Sequence, residues 1–459
     1  MTIILAILMV MAFALIAASP LTSVNKSAVA MFAGTLGWVL YVSFGSDFVM
    51  SQHSSEYLDF LSGTTADSVS VKEYISQNIF LKYVGRAAEI VLFLIATMTI
   101  VEILDNNGCF DFIPQWIKTR HSRRLLWSVA ILTFIISANL DNLTTTIMML
   151  ALVHKMLPNR RQRAVFASVI VLSANIGGAL TVIGDPNGLL LWHIGAVTPS
   201  HFSAWMAMPC LVAWAVPTYL LSRSLPERID LESYALPYRG DDTNLSIWQR
   251  VLMFFFAIGG LWFIPTFHNI TRLSPFVGAL CVLSLLWIVN EAFNCKLVRE
   301  KQMIQGRSKL SMQYGMLQMM LFVMGIMLVM GILTESGAGL WLGGQCVAAM
   351  GDVWTIAVGP LIAGIISLVL DPFATAAAFF SLYNIGGTAE LAQNGEYWIS
   401  IAYATAVGST IFGIGSLAGL AMFSMKSTTL GWYARHFTPK VVIGALLGLA
   451  VLIAEAIYF

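Results

Sequence analysis

Long apolar runs interrupted by short polar segments dominate the pattern of this chain. Many of these runs approach the roughly 20 apolar residues that cross a bilayer as one helix. Of the 459 residues, 58% are hydrophobic and 11% are charged, against about 25% charged residues in a typical soluble domain. The pattern therefore predicts an all-α polytopic membrane protein. The net charge of +1 gives no indication of a nucleic-acid partner.

Two apolar runs of the first half are interrupted by polar residues. Residues 125–154 have basic residues on both flanks, and basic flanks indicate the cytoplasmic side. This run predicts a re-entrant hairpin with a polar tip within Ile135–Thr146, because it can enter and leave on one side only as two short arms. Residues 164–197 predict a span broken at Gly184–Gly188, where the sequence is GDPNG. Proline removes an N–H donor there, and glycine frees the backbone dihedrals.

The second half repeats this organisation with the opposite charge on its flanks. Residues 354–382 predict a second hairpin, and residues 397–423 predict a second broken helix. Asp141 and Asp371 lie 230 residues apart, and Gly184 and Gly415 lie 231 apart. The residues flanking the second hairpin are acidic, namely Glu335, Asp352, Glu390 and Glu396.

This inversion of charge predicts inverted-topology repeats, each with about five spans including a broken helix, plus a re-entrant hairpin. The predicted first repeat covers residues 1–221, and the inverted second repeat covers residues 247–459. A cytoplasmic linker is predicted between them, over residues 222–246.

Oxygen-bearing side chains are expected to gather where the hairpin tips and helix breaks converge near the membrane midplane. Hard cations such as Na⁺ prefer oxygen ligands, and burial favours the protonated form of a carboxylate. One buried carboxylate can therefore hold Na⁺ and H⁺ in turn. The candidate ion- and proton-binding residues are Asp141, Asn142, Thr144, Thr145, Asn175, Asp185, Asn187, Ser367, Asp371, Thr375, Ser409 and Ser416.

Glu102 lies within a predicted span and is a further candidate, for proton access. The aspartates also have a purely structural interpretation. Asp141 and Asp371 precede predicted helix starts, where aspartate is a common cap. Asp185 lies in a sequence typical of a turn.

Two motifs, SANLDNLTTT at Ser137–Thr146 and SANIGGALTVIGDPNG at Ser173–Gly188, resemble those of the NhaD-type sodium/proton antiporters of the ion transporter superfamily. The resemblance extends over nearly the whole chain. It implies electrogenic Na⁺ or Li⁺ efflux driven by inward protons, a homodimer, and a multi-pass protein of the bacterial inner membrane. No cofactor is expected besides the transported ions. The residues that take the essential polar role by this resemblance are Asp141, Asn142, Thr144, Asn175 and Asp185.

Two alternatives fit parts of the pattern. The first is an anion, arsenite or dicarboxylate carrier of the same superfamily fold. An aspartate in the site would repel a carboxylate substrate, no Lys or Arg occurs in Ser128–Leu152 or Val353–Met425, and neither motif contains a cysteine for arsenite. The second is an intramembrane aspartyl protease in which Asp141 and Asp185 share a proton. The favoured prediction is exchange of cytoplasmic Na⁺ (or Li⁺) for external H⁺.

Overall fold

A computed structural model describes residues 2–22, 24–61, 67–110, 119, 121–229, 245–301, 310–351 and 354–458. Within these ranges the chain is helical and forms no β-strand. Seven helices are long and apolar enough to cross a membrane. An eighth is added if the bent pair Lys26–Ser43 and Gly45–Gln52 is one span. The prediction of an all-α polytopic membrane protein is confirmed.

The first part of the chain builds a bent helical unit with an aromatic core. Its helices span Thr2–Ala17, Ser19–Thr22, Lys26–Ser43, Gly45–Gln52, Ser54–Leu61, Ser68–Tyr74 and Leu81–Asn106, with a π-helical turn at Ile75–Phe80. The chain bends by 81° between Lys26–Ser43 and Gly45–Gln52. Trp38 packs edge-on against Tyr41 and Phe80.

The next part contains the first hairpin and the first broken helix. Leu140 and Asp141 are extended and separate the two hairpin arms, Ser122–Asn139 and Asn142–Met156. We call Asn142–Met156 the first tip helix. The first broken helix consists of Arg160–Ala179 and Pro186–His193, and the helix Pro199–Ser222 follows it.

The remaining helices form the second half of the chain. They span Ile247–Thr271, Pro275–Lys301, Leu310–Glu335, Ala338–Met350, Gly359–Ile366, Pro372–Phe380, Glu396–Phe412, Leu417–Ser424, Leu430–His436 and Thr438–Tyr458, with a π-helical turn at Trp354–Val358 and a 3₁₀ turn at Ala389–Leu391. We call Pro372–Phe380 the second tip helix. The second broken helix consists of Glu396–Phe412 and Leu417–Ser424.

Each tip helix packs on the broken helix of the other half. The first tip helix packs on Leu417–Ser424, and the second tip helix packs on Pro186–His193. The two long segments Arg160–Ala179 and Glu396–Phe412 also pack on each other. Four interrupted elements therefore meet in the centre of the protein.

The surrounding spans present apolar surface outward. Only 22% of the apolar window of Ile247–Thr271 and 28% of that of Thr438–Tyr458 is buried, against 61% for Glu396–Ser424. The centrally packed helices are therefore shielded by peripheral ones. This arrangement suits a site placed at membrane depth, because interrupted backbone is tolerated there only when protein or a water-filled cavity surrounds it.

The division into an inverted pair of repeats stays a prediction. The interruptions between helices fall inside the predicted hairpins 125–154 and 354–382 and the predicted broken helices 164–197 and 397–423, while several outer helix ends extend beyond these ranges by one to four residues. Asp352 and most of the predicted linker 222–246 lie outside the described residues.

Candidate ion-binding site

Asp141 caps the first tip helix and uses half of its carboxylate to do so. Its Oδ2 accepts from the backbone N–H of Thr144, at 2.9 Å, and from the Thr144 hydroxyl, at 3.0 Å. Its Oδ1 is buried and has no hydrogen-bond partner among the described residues. The capping role is therefore present, and it leaves one carboxylate oxygen available.

Asp185 caps the second segment of the first broken helix. Its Oδ1 accepts from the N–H of Asn187 at 3.2 Å, and Pro186 occupies the first helical position, where its missing N–H costs nothing. Asp185 is 5% exposed. The backbone before it is held close to the first hairpin, since a Cβ built on Gly184 would lie 2.6 Å from the Ser137 carbonyl oxygen.

Four further buried side chains near these carboxylates have polar atoms without partners. They are the hydroxyls of Thr145 and Thr146 and both amide atoms of Asn175 and Asn187, which make no hydrogen bond within the described part of the chain. Buried polar groups are nearly always hydrogen-bonded in native proteins. A group of unpartnered oxygens beside a half-free carboxylate is therefore a candidate cation site.

Thr146 is absent from the set predicted from sequence. It ends the run of three threonines that also contains Thr144 and Thr145, and its side chain is fully buried. The run of three threonines was the feature of the sequence from which Thr146 could have been predicted.

The first tip and the first break lie side by side. Asn142 is half-buried, and its Cβ lies 3.4 Å from a Cβ built on Gly178. The charges of Asp371 and Asp141 both interact with Asp185. Asp185 therefore lies within electrostatic range of both other aspartates.

The hydroxyls predicted in the second half are engaged in local hydrogen bonds. Ser367 donates to the carbonyl of Thr405 at 2.8 Å, and Ser416 accepts from the N–H of Gly419 at 3.0 Å. The other two bonds are Thr375 to the carbonyl of Asp371, 3.0 Å, and Ser409 to the carbonyl of Ala406, 2.8 Å. Of these four bonds, only that of Ser367 joins the second hairpin to the second broken helix, and the other three lie within or at the start of single helices.

Asp371 has a partner that sequence reasoning missed. Its Oδ1 accepts from the N–H of Phe373 at 3.1 Å, and its Oδ2 forms an ion pair with the ammonium of Lys26. The tip segments themselves contain no Lys or Arg, but a basic side chain reaches the second tip from elsewhere, because Lys26 lies 345 residues away in the chain. No local pattern around Asp371 signals this contact.

Glu102 stays a prediction for proton access. It is half-buried on the helix Leu81–Asn106. Among the described residues, no hydrogen bond joins it to the tips or the breaks.

The family model described as "Citrate transporter" (CitMHS) matches residues 1–408. The chain belongs to this family. It is therefore a transporter, and the interpretation as an intramembrane protease is excluded.

Several curated relatives of this CitMHS member are named as antiporters. "Sodium/proton antiporter 1" of Arabidopsis thaliana is 32% identical over 81% of this chain, and the chain spans 62% of that protein's length. "Na(+)/H(+) antiporter NhaD" of Vibrio parahaemolyticus is 23% identical, with 78% of this chain and 87% of the relative covered. The protein of the same name from Alkalimonas amylolytica is 25% identical, with 79% and 76% covered. The resemblance to the NhaD-type antiporters is confirmed.

Proposed function

We propose that the protein exchanges cytoplasmic Na⁺ (or Li⁺) for external H⁺ through a site built on Asp141 and Asp185. One observation carries this proposal. The free oxygen of Asp141 and the unpartnered atoms of Thr145, Asn175 and Asn187 are all buried, at the first tip helix and in the two segments of the first broken helix. Carboxylate, amide and hydroxyl oxygens are the ligands that a hard cation prefers.

The same carboxylates couple the movement of Na⁺ to that of H⁺. When both aspartates are ionised, their negative charge and the neutral oxygens bind Na⁺. Two nearby carboxylates titrate as a coupled pair, because the charge on one disfavours ionisation of the other. Protonation removes the charge and releases Na⁺, so Na⁺ and H⁺ compete for one site and exchange is favoured at neutral to alkaline pH.

The names of the relatives support this choice of ions. The two Arabidopsis proteins are named sodium/proton antiporters, and the Vibrio and Alkalimonas proteins are named Na(+)/H(+) antiporters. The direction of exchange, the acceptance of Li⁺ and the carboxylate mechanism are part of our proposal for this chain.

A carboxylate carrier is the second candidate function, because the family is described by citrate transport. The site argues against it. Asp141 and Asp185 would each repel an anionic substrate. Lys26, the basic side chain seen at a tip, is already paired with Asp371. A multivalent anion would therefore find no free counter-charge at these residues.

The membrane and the assembly belong to the same proposal. Following the family resemblance, we place the protein in the bacterial inner membrane as a homodimer. Exposed apolar side chains on the helix Ile247–Thr271, such as Trp248 and Trp262, 83% and 68% exposed, supply surface for lipid and for a second copy.

A panel of substrates tests the proposed function. Everted vesicles from a host lacking its own Na⁺/H⁺ antiporters are energised to acidify their interior, and a pH dye reports dequenching after addition of NaCl, LiCl or KCl. We expect dequenching with Na⁺ or Li⁺ and none in vector-only vesicles. In proteoliposomes we expect no uptake of labelled citrate or succinate. Saturable, Na⁺-coupled succinate uptake without a Na⁺-induced proton flux would establish the carboxylate carrier instead.

A further inference from the structure

The two halves make the same contact behind each tip. In the first half, the hydroxyl of Ser137 donates to the carbonyl of Ala174 at 2.6 Å. In the second half, Ser367 donates to the carbonyl of Thr405 at 2.8 Å. The two serines lie 230 residues apart and the two acceptors 231 apart. We call each hairpin tip, together with the broken helix to which its serine is bonded, a frame. The second frame therefore lies at the position matched to the first.

The ligands of that second frame are different. Four polar residues of the first half are matched in the second half by residues without side-chain oxygen. Asn142, Thr144, Asn175 and Asn187 correspond to Pro372, Ala374, Ala406 and Ala418. An ion in the second frame would therefore find few neutral ligands beside the Asp371 carboxylate.

The second frame also lacks unpartnered atoms. In the first half, Asp141, Thr145, Asn175 and Asn187 all retain buried polar atoms without partners. In the described part of the second half, Thr375, Ser409 and Ser416 are hydrogen-bonded. Buried polar atoms that still need a partner are therefore found in the first frame, where a bound ligand would satisfy them, whereas each of these hydroxyls of the second frame already makes a hydrogen bond.

A positive charge already occupies the second frame. The Lys26 ammonium contacts the Asp371 carboxylate and lies 4.6 Å from the centroid of the Phe322 ring. Phe322 belongs to the helix Leu310–Glu335 and is buried, so the ammonium lies against a buried aromatic ring. Ser27, the next residue, donates to the carbonyl of Gln318 at 2.7 Å and fixes the start of the Lys26 helix on the same neighbour.

We infer that the Lys26 ammonium stands in for a cation in the second half, leaving the Asp141–Asp185 site as the one that exchanges ions. This inference rests on the proposed function and refines it, because Asp371 becomes the fixed partner of Lys26 instead of an exchanging ligand. The pair then keeps the second tip neutral throughout the transport cycle. Lys26 and Asp371 are positioning residues in this account.

The test uses Lys26→Met, Asp371→Asn and the double variant of the full-length protein. Each single change leaves one buried charge without its partner, which is strongly destabilising, whereas removing both charges is far less so. We expect each single variant to melt several degrees below wild type, and the double variant to recover most of that loss. A double-mutant cycle isolates this coupling. Independent, additive losses would overturn the pairing.

The response to Na⁺ distinguishes two roles of the Lys26–Asp371 pair. Either the ammonium takes the place of a transported cation, or the pair is a structural salt bridge at a site that still exchanges ions. We expect Na⁺, compared with choline, to raise the melting temperature of the double variant as much as that of wild type. We also expect the same Na⁺:H⁺ ratio, read from the gradient at which flux reverses in proteoliposomes. A lost Na⁺ response or a changed ratio would show that Asp371 exchanges ions and would overturn the inference.

Two further outcomes keep the result decisive. If the single variants are not recovered from the membrane, the double variant and Lys26→Arg, which keeps the positive charge, are measured instead. Their melting temperatures and their responses to Na⁺ then decide the test. If wild type shows neither Na⁺-induced stabilisation nor exchange, the proposed function fails. The melting temperatures would still measure the strength of the ion pair in that case. The inference that Lys26 takes the place of a cation would fail together with the proposed function.

Discussion

Three aspartates at the centre of the protein share one local role and differ in what their remaining oxygen does. Asp141, Asp185 and Asp371 each cap a helix by accepting a backbone N–H bond. Asp141 leaves its Oδ1 free, whereas Asp371 gives its other oxygen to Lys26. Capping and ion binding are therefore compatible in one side chain. Asp141 and Asp371 both follow a leucine after an apolar segment, so the local sequence could not show which aspartate keeps a free oxygen and which pairs with a lysine.

Gly184 tests the close approach of the first break to the first hairpin. A Cβ there would lie 2.6 Å from the Ser137 carbonyl oxygen and 2.8 Å from that of Gly178. Gly184→Ala must push backbone apart, and overpacking of this kind costs about 1–3 kcal/mol. We expect a lower melting temperature in detergent and a strong loss of Na⁺-induced dequenching.

Gly259→Ala is the matched control for this substitution. It lies in the helix Ile247–Thr271, and a Cβ built on it meets nothing within 4 Å. Alanine in place of glycine in an open helix position is neutral to stabilising by about 0.4–1 kcal/mol. Equal melting temperatures and equal exchange in the two variants would contradict the predicted close contact.

At the scale of elements, local sequence predicted where the helices stop. The breaks follow Asn139, Ala179, Ile366 and Phe412, inside the predicted interrupted segments. Capping aspartates, proline after them and the left-handed Gly413, with φ of +71°, set these ends by short-range chemistry. Short-range chemistry is visible in sequence, so these boundaries could be predicted.

Other elements depend on contacts that no local pattern contains. The 81° bend between Lys26–Ser43 and Gly45–Gln52 is one such feature. The Lys26 side chain reaches Asp371 because its helix packs along Leu310–Glu335. Packing between distant segments decides such contacts, and one sequence does not specify it.

The orientation of the hairpins in the membrane gives a prediction at this scale. Single cysteines are placed at Arg123, Arg161 and Thr388 in a background without the five native cysteines. The basic flanks indicate the cytoplasm for the first two positions, and the acidic flank near Thr388 indicates the outside. We expect membrane-impermeant thiol reagents to label Arg123→Cys and Arg161→Cys from the cytoplasm and Thr388→Cys from outside. Labelling of the first two from opposite sides would disprove a re-entrant hairpin.

At the scale of the whole molecule, the two halves have similar backbone arrangements but different charged and polar side chains. The crossed packing of tips and broken helices brings three buried carboxylates and one ammonium to the centre. This balance is negative when all four groups are charged. Ionisable groups inside a membrane are costly and mark ion pathways. In our proposal, the molecule presents one site to a transported cation and neutralises the other with its own lysine.

The central claim is that Asp185 and Asp141 carry both ions, and Na⁺ accumulation against its gradient tests it most directly. Wild type, Asp185→Asn and Asp141→Asn are reconstituted in proteoliposomes with an acidic interior, and uptake of radiolabelled Na⁺ is followed. The asparagine variants keep an oxygen ligand and a capping side chain but cannot titrate. We predict that wild type accumulates Na⁺ as protons leave. Either variant should show no accumulation while retaining a melting temperature close to that of wild type without Na⁺. Accumulation at the wild-type rate in either variant would contradict the account and remove that aspartate from the site.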